Sequence, residues 1–81
     1  MENRQHLRKR TFLGAKIVLD GGHSVFDCVV RDLSEAGARL KVQNVVSVPE
    51  TFKLQISDGR TYKATVKWRR IDAVGVSFSE D

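Results

Sequence analysis

Between Thr51 and Ser57 the chain alternates without a fault: Phe52, Leu54 and Ile56 are apolar, while Lys53, Gln55 and Ser57 are polar. Successive strand side chains point to opposite faces, so this spacing predicts a strand with one buried side. Asp58-Gly59 follows, a pair suited to a tight reversal. From Arg60 onward, Tyr62, Ala64, Val66 and Trp68 fall opposite Lys63, Thr65, Lys67 and Arg69. The two runs read as a hairpin, with Trp68 expected to pack inside beside Tyr62, Ala64 and Val66.

The same period recurs upstream. Gly14 to Asp20 sets Ala15, Ile17 and Leu19 against Lys16, Val18 and Asp20, and the glycine-rich Asp20-Gly21-Gly22-His23 predicts a turn into a return strand over Ser24 to Arg31. That strand places Phe26, Cys28 and Val30 on one side. Asp32 to Gly37 then forms a corner: Asp32 and Ser34 can fold back onto backbone N–H groups, and Gly37 can take a positive φ. Ala38, Leu40 and Val42 alternate with Arg39 and Lys41 in a third strand. Gln43 to Glu50 has no clean period and reads as a loop packing partly inward. A last turn near Arg70 to Ala73 leads into Val74 to Phe78. Six short strands at regular spacing, without a helix, predict an all-β, closed antiparallel barrel. A barrel this small is filled by its own side chains, so a ligand must bind outside it or at its rim.

At 81 residues there is room for one domain, which buries about 60% of its unfolded surface. With 41% apolar and 30% charged residues, neither disorder nor a fibrous class fits. No apolar run is long enough to span a membrane, and the first ten residues lack the apolar stretch of a secretory signal. Cys28 is the sole cysteine, which precludes an internal disulfide and suits a cytoplasmic protein. It lies in phase with Phe26 and Val30, as a packed thiol would. His6 and His23 stand apart, so no zinc-ligand set exists, and nothing places a base beside Ser34. The chain is expected to be neither a metalloprotein nor an enzyme.

Charge changes the picture. Residues 1–10 carry Arg4, Arg8, Lys9 and Arg10 against Glu2, a net of +3, whereas residues 11–81 hold ten basic and nine acidic residues, a net of +1. The positive charge sits on an arm, expected to be flexible over residues 1–12, ahead of a nearly neutral barrel over residues 13–81. A basic arm and a polar corner together suggest an anion site. A nucleic-acid polymer would call for basic charge spread over a face and exposed aromatics. Here every aromatic except Phe12 is expected to face inward.

Arg4-Gln-His-Leu-Arg8 and Asp32-Leu-Ser-Glu-Ala-Gly37 resemble the paired motifs of the PilZ domain family, Arg-x-x-x-Arg followed by Asp/Asn-x-Ser-x-x-Gly. Val66-Lys67-Trp68-Arg69 and Gly75-Val76-Ser77-Phe78 are similar to that family's last two strands. The resemblance implies a six-stranded PilZ-type barrel that often carries a C-terminal helix; with the chain ending at Asp81, no substantial helix is expected. It also implies that cyclic di-GMP is the ligand, with no other cofactor. Arg4 and Arg8 would supply most of the affinity, since the guanidinium fork matches both guanine O6/N7 and phosphate oxygens. Asp32 and Ser34 would meet the guanine edge and nearby polar groups, and Gly37 would hold the turn and admit the ligand. Lys9, Arg10 and Arg39 would be additional phosphate contacts or plain solvated charge. The function implied is a cytoplasmic sensor that signals to a protein partner. The alternatives are a PilZ-like interaction module that does not bind cyclic di-GMP, and a general nucleic-acid-binding barrel.

Overall fold

The alternating runs become six strands: β1 (Lys9–Val18), β2 (Val25–Leu33), β3 (Gly37–Lys41), β4 (Thr51–Ile56), β5 (Thr61–Arg69) and β6 (Ala73–Ser79). The computed structural model describes residues 9–19 and 25–79, with Lys9 and Arg10 described through their backbone alone. Every neighbouring pair is antiparallel, and the ring closes in the order β1-β2-β3-β6-β5-β4. Closure satisfies ladder hydrogen bonds that an open sheet would leave at its edges. β4 shows the expected pattern, with Phe52, Leu54 and Ile56 buried and the residues between them exposed. Ile17, Val30, Leu40, Leu54 and Val74 are completely buried at the centre. Tyr62 and Phe78 stack near one end of the β5–β6 pair, with ring centroids 4.0 Å apart and planes 8° from parallel.

Strand direction sorts the barrel into two ends. The start of β1, the end of β2, the start of β3 and the end of β6 meet at one end, where Lys9 pairs with Leu33, Leu33 with Ala38, and Gly37 with Ser77. The corner after β2 therefore lies where the first described strand begins.

Several local features differ from the sequence reading. β1 begins at Lys9, not Gly14, so Lys9–Phe12, expected in the arm, are strand residues. The extra turns of alternation were hidden because Thr11 and Phe12 both lie opposite the single residue Arg31. Thr11 Oγ1 donates to the Val30 carbonyl at 2.6 Å, while Phe12 projects outward with the Arg31 guanidinium 4.7 Å from its ring centre. The Gln43–Glu50 segment contains a 3-10 turn, Val45–Ser47, and buries Val48 as an inward-packing loop should. Arg69 ties it to β5, one η nitrogen donating to the carbonyls of Val45 and Val48 at 2.6 and 2.8 Å.

At the β4–β5 turn Gly59 has φ +102°, and its N–H donates to the Ile56 carbonyl at 2.9 Å. The Arg60 guanidinium holds the Asp58 carboxyl below its ordinary range, chiefly through side-chain hydrogen bonding. The turn expected at Asp20 to His23 lies outside the described residues, although Val18 and Val25 are paired on either side of it. Cys28 is buried, and desolvation, aided by the Asp27 charge, pushes its thiol up to about 12. A thiol this hard to ionise is a packing group.

Candidate functional site

An uninterrupted strand keeps alternate side chains on one face, and an inserted residue shifts that phase. The described strands carry three such interruptions. One places Thr11 and Phe12 of β1 opposite Arg31; one leaves Arg31 of β2 without a partner between Val30 and Asp32 in the β2–β3 ladder; one leaves Lys67 of β5 unpaired between Val66 and Trp68. Past each interruption the register resumes on a single transverse row. Arg10 pairs with Asp32, Asp32 with Arg39, Arg39 with Gly75, and Gly75 with Trp68. Five adjacent strands thus each contribute one residue to a belt across the barrel wall.

The consequence is clearest at Asp32 and Arg39. In the unshifted register Val30 pairs with Leu40. Continued without a bulge, that register would put Arg31 opposite Arg39, and Asp32 opposite Ala38. The extra residue instead makes Asp32 and Arg39 direct partners, and Arg39 Nε lies 2.6 Å from Asp32 Oδ2. Asp32 is the one buried charged or polar residue among those described, with 8% of its surface exposed. A carboxylate removed from water needs a charged hydrogen-bond partner, and Arg39 supplies it. The arginine side chain itself is 43% exposed, so the pair has one inner and one outer member.

Trp68 is also displaced by a bulge. Strict alternation placed it in the core with Ala64 and Val66, but the unpaired Lys67 reverses the phase and leaves Trp68 39% exposed. Its indole covers Gly75 so closely that a Cβ on that glycine would fall 2.1 Å from Trp68 Cε2. The Arg70 guanidinium lies 5.0 Å from the indole ring centre. Beside it, Ala38, Arg39, Lys67, Trp68, Gly75 and Val76 line a shallow pocket of about 280 Å³. Two aromatic side chains, Phe12 and Trp68, are therefore outside, each against an arginine, where only Phe12 was expected to be.

The corner itself is tighter than the six-residue motif implied. Asp32 and Leu33 belong to β2, and the reversal is confined to Ser34–Gly37, closed by Ser34 N–H to the Gly37 carbonyl at 2.9 Å. Ser34 Oγ accepts from the N–H groups of Ala36 and Gly37 at 3.2 and 3.3 Å, so its hydroxyl shapes the turn. Gly37 does not have the positive φ expected of it; Gly59 is the one described glycine that does. Glycine is required at 37 by close approach, because a Cβ there would lie 2.1 Å from the Val76 carbonyl oxygen on β6. The Phe78 N–H to Ala36 carbonyl bond, 2.9 Å, locks β6 against the same corner.

Of the expected site residues, Asp32, Ser34, Gly37 and Arg39 come together at one place. Arg4 and Arg8 lie outside the described residues, as do the side chains of Lys9 and Arg10. The backbone places Arg10 in register with Asp32, so the basic segment joins the barrel beside the acidic end of the belt. Gly75 and the outward Trp68, which lie on the same belt, were not among the expected site residues. No local signal marked them, because the phase change at Lys67 arises only when β5 pairs with β6. A second groove, about 590 Å³, lies at the other end of β2 and is lined by Phe26, Cys28, Val42, Asn44 and Val48 among others. It shares no residue with the belt. No cluster of metal-ligating side chains exists among the described residues, and none of their helices is long and apolar enough to cross a membrane.

The comparisons with known proteins agree with this fold. A family model described as PilZ domain matches residues 2–81. Among solved structures, the chain is similar to the crystal structure of a PilZ domain of CeSA from a cellulose-synthesizing bacterium, at 18% identity and a TM-score of 0.70. That match covers 93% of this chain and 82% of the other. No curated protein matches the chain.

Proposed function

The chain belongs to the PilZ domain family, and we propose that it binds cyclic di-GMP on the outer wall of its barrel, clamped between the basic N-terminal segment and the Asp32 belt. PilZ domains are in general cyclic di-GMP-binding adaptor domains, and binding by this chain is the step proposed here. The observation that carries it is the register. Lys9 pairs with Leu33 and Arg10 with Asp32, and Arg8 directly precedes that paired segment in the chain. A cation from the arm and an anion from the corner are thereby available to one ligand.

The chemistry suits a guanine dinucleotide. Arg4 and Arg8 offer planar forks for phosphate oxygens or guanine O6 and N7, and a bidentate contact of this kind contributes about 1–3 kcal/mol. The Asp32 carboxylate accepts from guanine N1–H and the exocyclic amine, which adenine cannot match. Gly37 keeps the corner close to β6, and Ser34 keeps its shape. Trp68 packs over Gly75 at the far end of the belt, and once Arg70, 5.0 Å from its ring centre, moves aside, its other face can stack on a base. Ordering the arm costs about 1–2 kcal/mol per residue fixed, and charge-assisted bonds of about 1.5–3 kcal/mol each offset it. The liganded arm then presents a changed surface to a protein partner.

Calorimetric titration of cyclic di-GMP into the purified chain at moderate salt, with cyclic di-AMP as control, tests the reading. Binding of cyclic di-GMP alone, lost in an Arg8→Ala variant with unchanged circular dichroism, supports it. Absence of both heat and a thermal shift refutes it and leaves the interaction-module alternative. Repeating the titration against salt separates the polymer alternative. A nucleic-acid polymer releases many counterions and loses affinity steeply, whereas a ligand with two phosphates responds mildly.

A further inference from the structure

We infer that Arg39 is a positioning residue for base discrimination: it holds the Asp32 carboxylate in the orientation that distinguishes guanine from bases lacking the exocyclic amine. The inference rests on the ligand reading above and assigns to Arg39 a role beyond general phosphate attraction. Three observations lead to it. The bulge at Arg31 serves to bring Asp32 and Arg39 into register, where an unshifted ladder would have separated them to opposite faces. The contact is made through Nε to one oxygen, Oδ2, at 2.6 Å, and Oδ1 takes no bond from any described residue. The carboxylate is inside and the guanidinium stem outside, with side-chain exposures of 11% and 43%.

An exposed surface ion pair would leave the carboxylate free to rotate and would add little. Here the carboxylate is confined by burial, and among the described side chains a single directional N–H, from Arg39, sets which way the remaining oxygen faces. A base offering N1–H and a neighbouring amine then meets a preset acceptor. The η nitrogens of Arg39 also make no bond to another described residue, and the same side chain lines the Trp68–Gly75 pocket. Arg39 therefore links the acid that reads the base to the surface where the rest of the ligand would lie. Lysine retains the charge but not the directional Nε donor on a planar fork.

The test compares cyclic di-GMP with cyclic di-IMP, which has the same ring and phosphates but lacks the exocyclic amine, on wild type and Arg39→Lys. Wild type is expected to prefer cyclic di-GMP by about tenfold or more. In Arg39→Lys that preference is expected to shrink to about threefold or less, beyond any loss the two ligands share. Arg39→Gln, folded by circular dichroism, is measured in parallel so that the result does not depend on one variant, and is expected to lose the same preference. An unchanged preference in folded variants, or equal loss for both ligands, overturns the positioning role while leaving cyclic di-GMP binding intact. Wild type that binds neither ligand overturns the ligand reading, and this inference with it.

Discussion

Replacing Gly37 with alanine tests whether the corner depends on close approach between β3 and β6. The added Cβ would stand 2.1 Å from the Val76 carbonyl oxygen and 3.1 Å from Ser77 Cα, both backbone atoms that cannot rotate away. Relief requires the two strands to separate by about 1 Å, and forcing a packed structure apart in this way costs about 1–3 kcal/mol. The shift also loads the Ser34 N–H to Gly37 carbonyl and Phe78 N–H to Ala36 carbonyl bonds, both 2.9 Å. Weakening one of them adds about 0.5–1.5 kcal/mol. The expected loss is about 2–4 kcal/mol, against a total stability of about 4–12 kcal/mol for a domain of this length. Urea unfolding should show the midpoint falling at unchanged slope, and the melting temperature should drop by about 10–25 °C. Gly75→Ala is the matched control. Its Cβ would also land 2.1 Å from a neighbour, but that neighbour is the indole of Trp68, 39% exposed and able to swing outward. A Gly37→Ala variant within about 0.5 kcal/mol of the parent, at the same slope, would refute the argument, since that is the range of an ordinary surface substitution.

Three further outcomes are expected. Gly75→Ala should cost less than about 1.5 kcal/mol, the scale of an off-rotamer side chain, and should shift the emission of Trp68, the only tryptophan, to longer wavelength; unchanged emission would argue against the indole lying over Gly75. Gly59→Ala, at φ +102° with open space around it, should cost about 1–2 kcal/mol from backbone conformation alone, measured by the same urea unfolding. Cys28 should resist alkylation in the native state at pH 8 and react on unfolding. Its folded pKa, about 12 against an ordinary 9.0, means the native state keeps a proton that the unfolded state releases. This contribution is fully present below pH 9 and is lost as pH rises towards 12, at up to about 1.4 kcal/mol per pH unit. Cys28→Ala should therefore show a shallower loss of stability than wild type over that window, and parallel profiles would contradict the assignment.

The alternation of apolar and polar residues was enough to read six strands, the buried set on β4, the inward Cys28 and the Asp58-Gly59 turn, because strand side chains have a period of two and turn residues have local conformational preferences. The motif residues Asp32, Ser34 and Gly37 were likewise legible, since their spacing is local. What the sequence could not carry was the phase after a bulge. Nothing in the string Val66-Lys67-Trp68 marks Lys67 as the residue left unpaired, so Trp68 read as core, and nothing around Arg31 announced that Asp32 would face Arg39. Gly37 was recognised as necessary for the wrong reason, because close approach depends on a carbonyl 39 residues later in the chain. A period belongs to one strand and can be read from it, whereas a register belongs to two strands and exists only after they pair. The belt from Arg10 to Trp68 is a product of register, and only the closed barrel decided it.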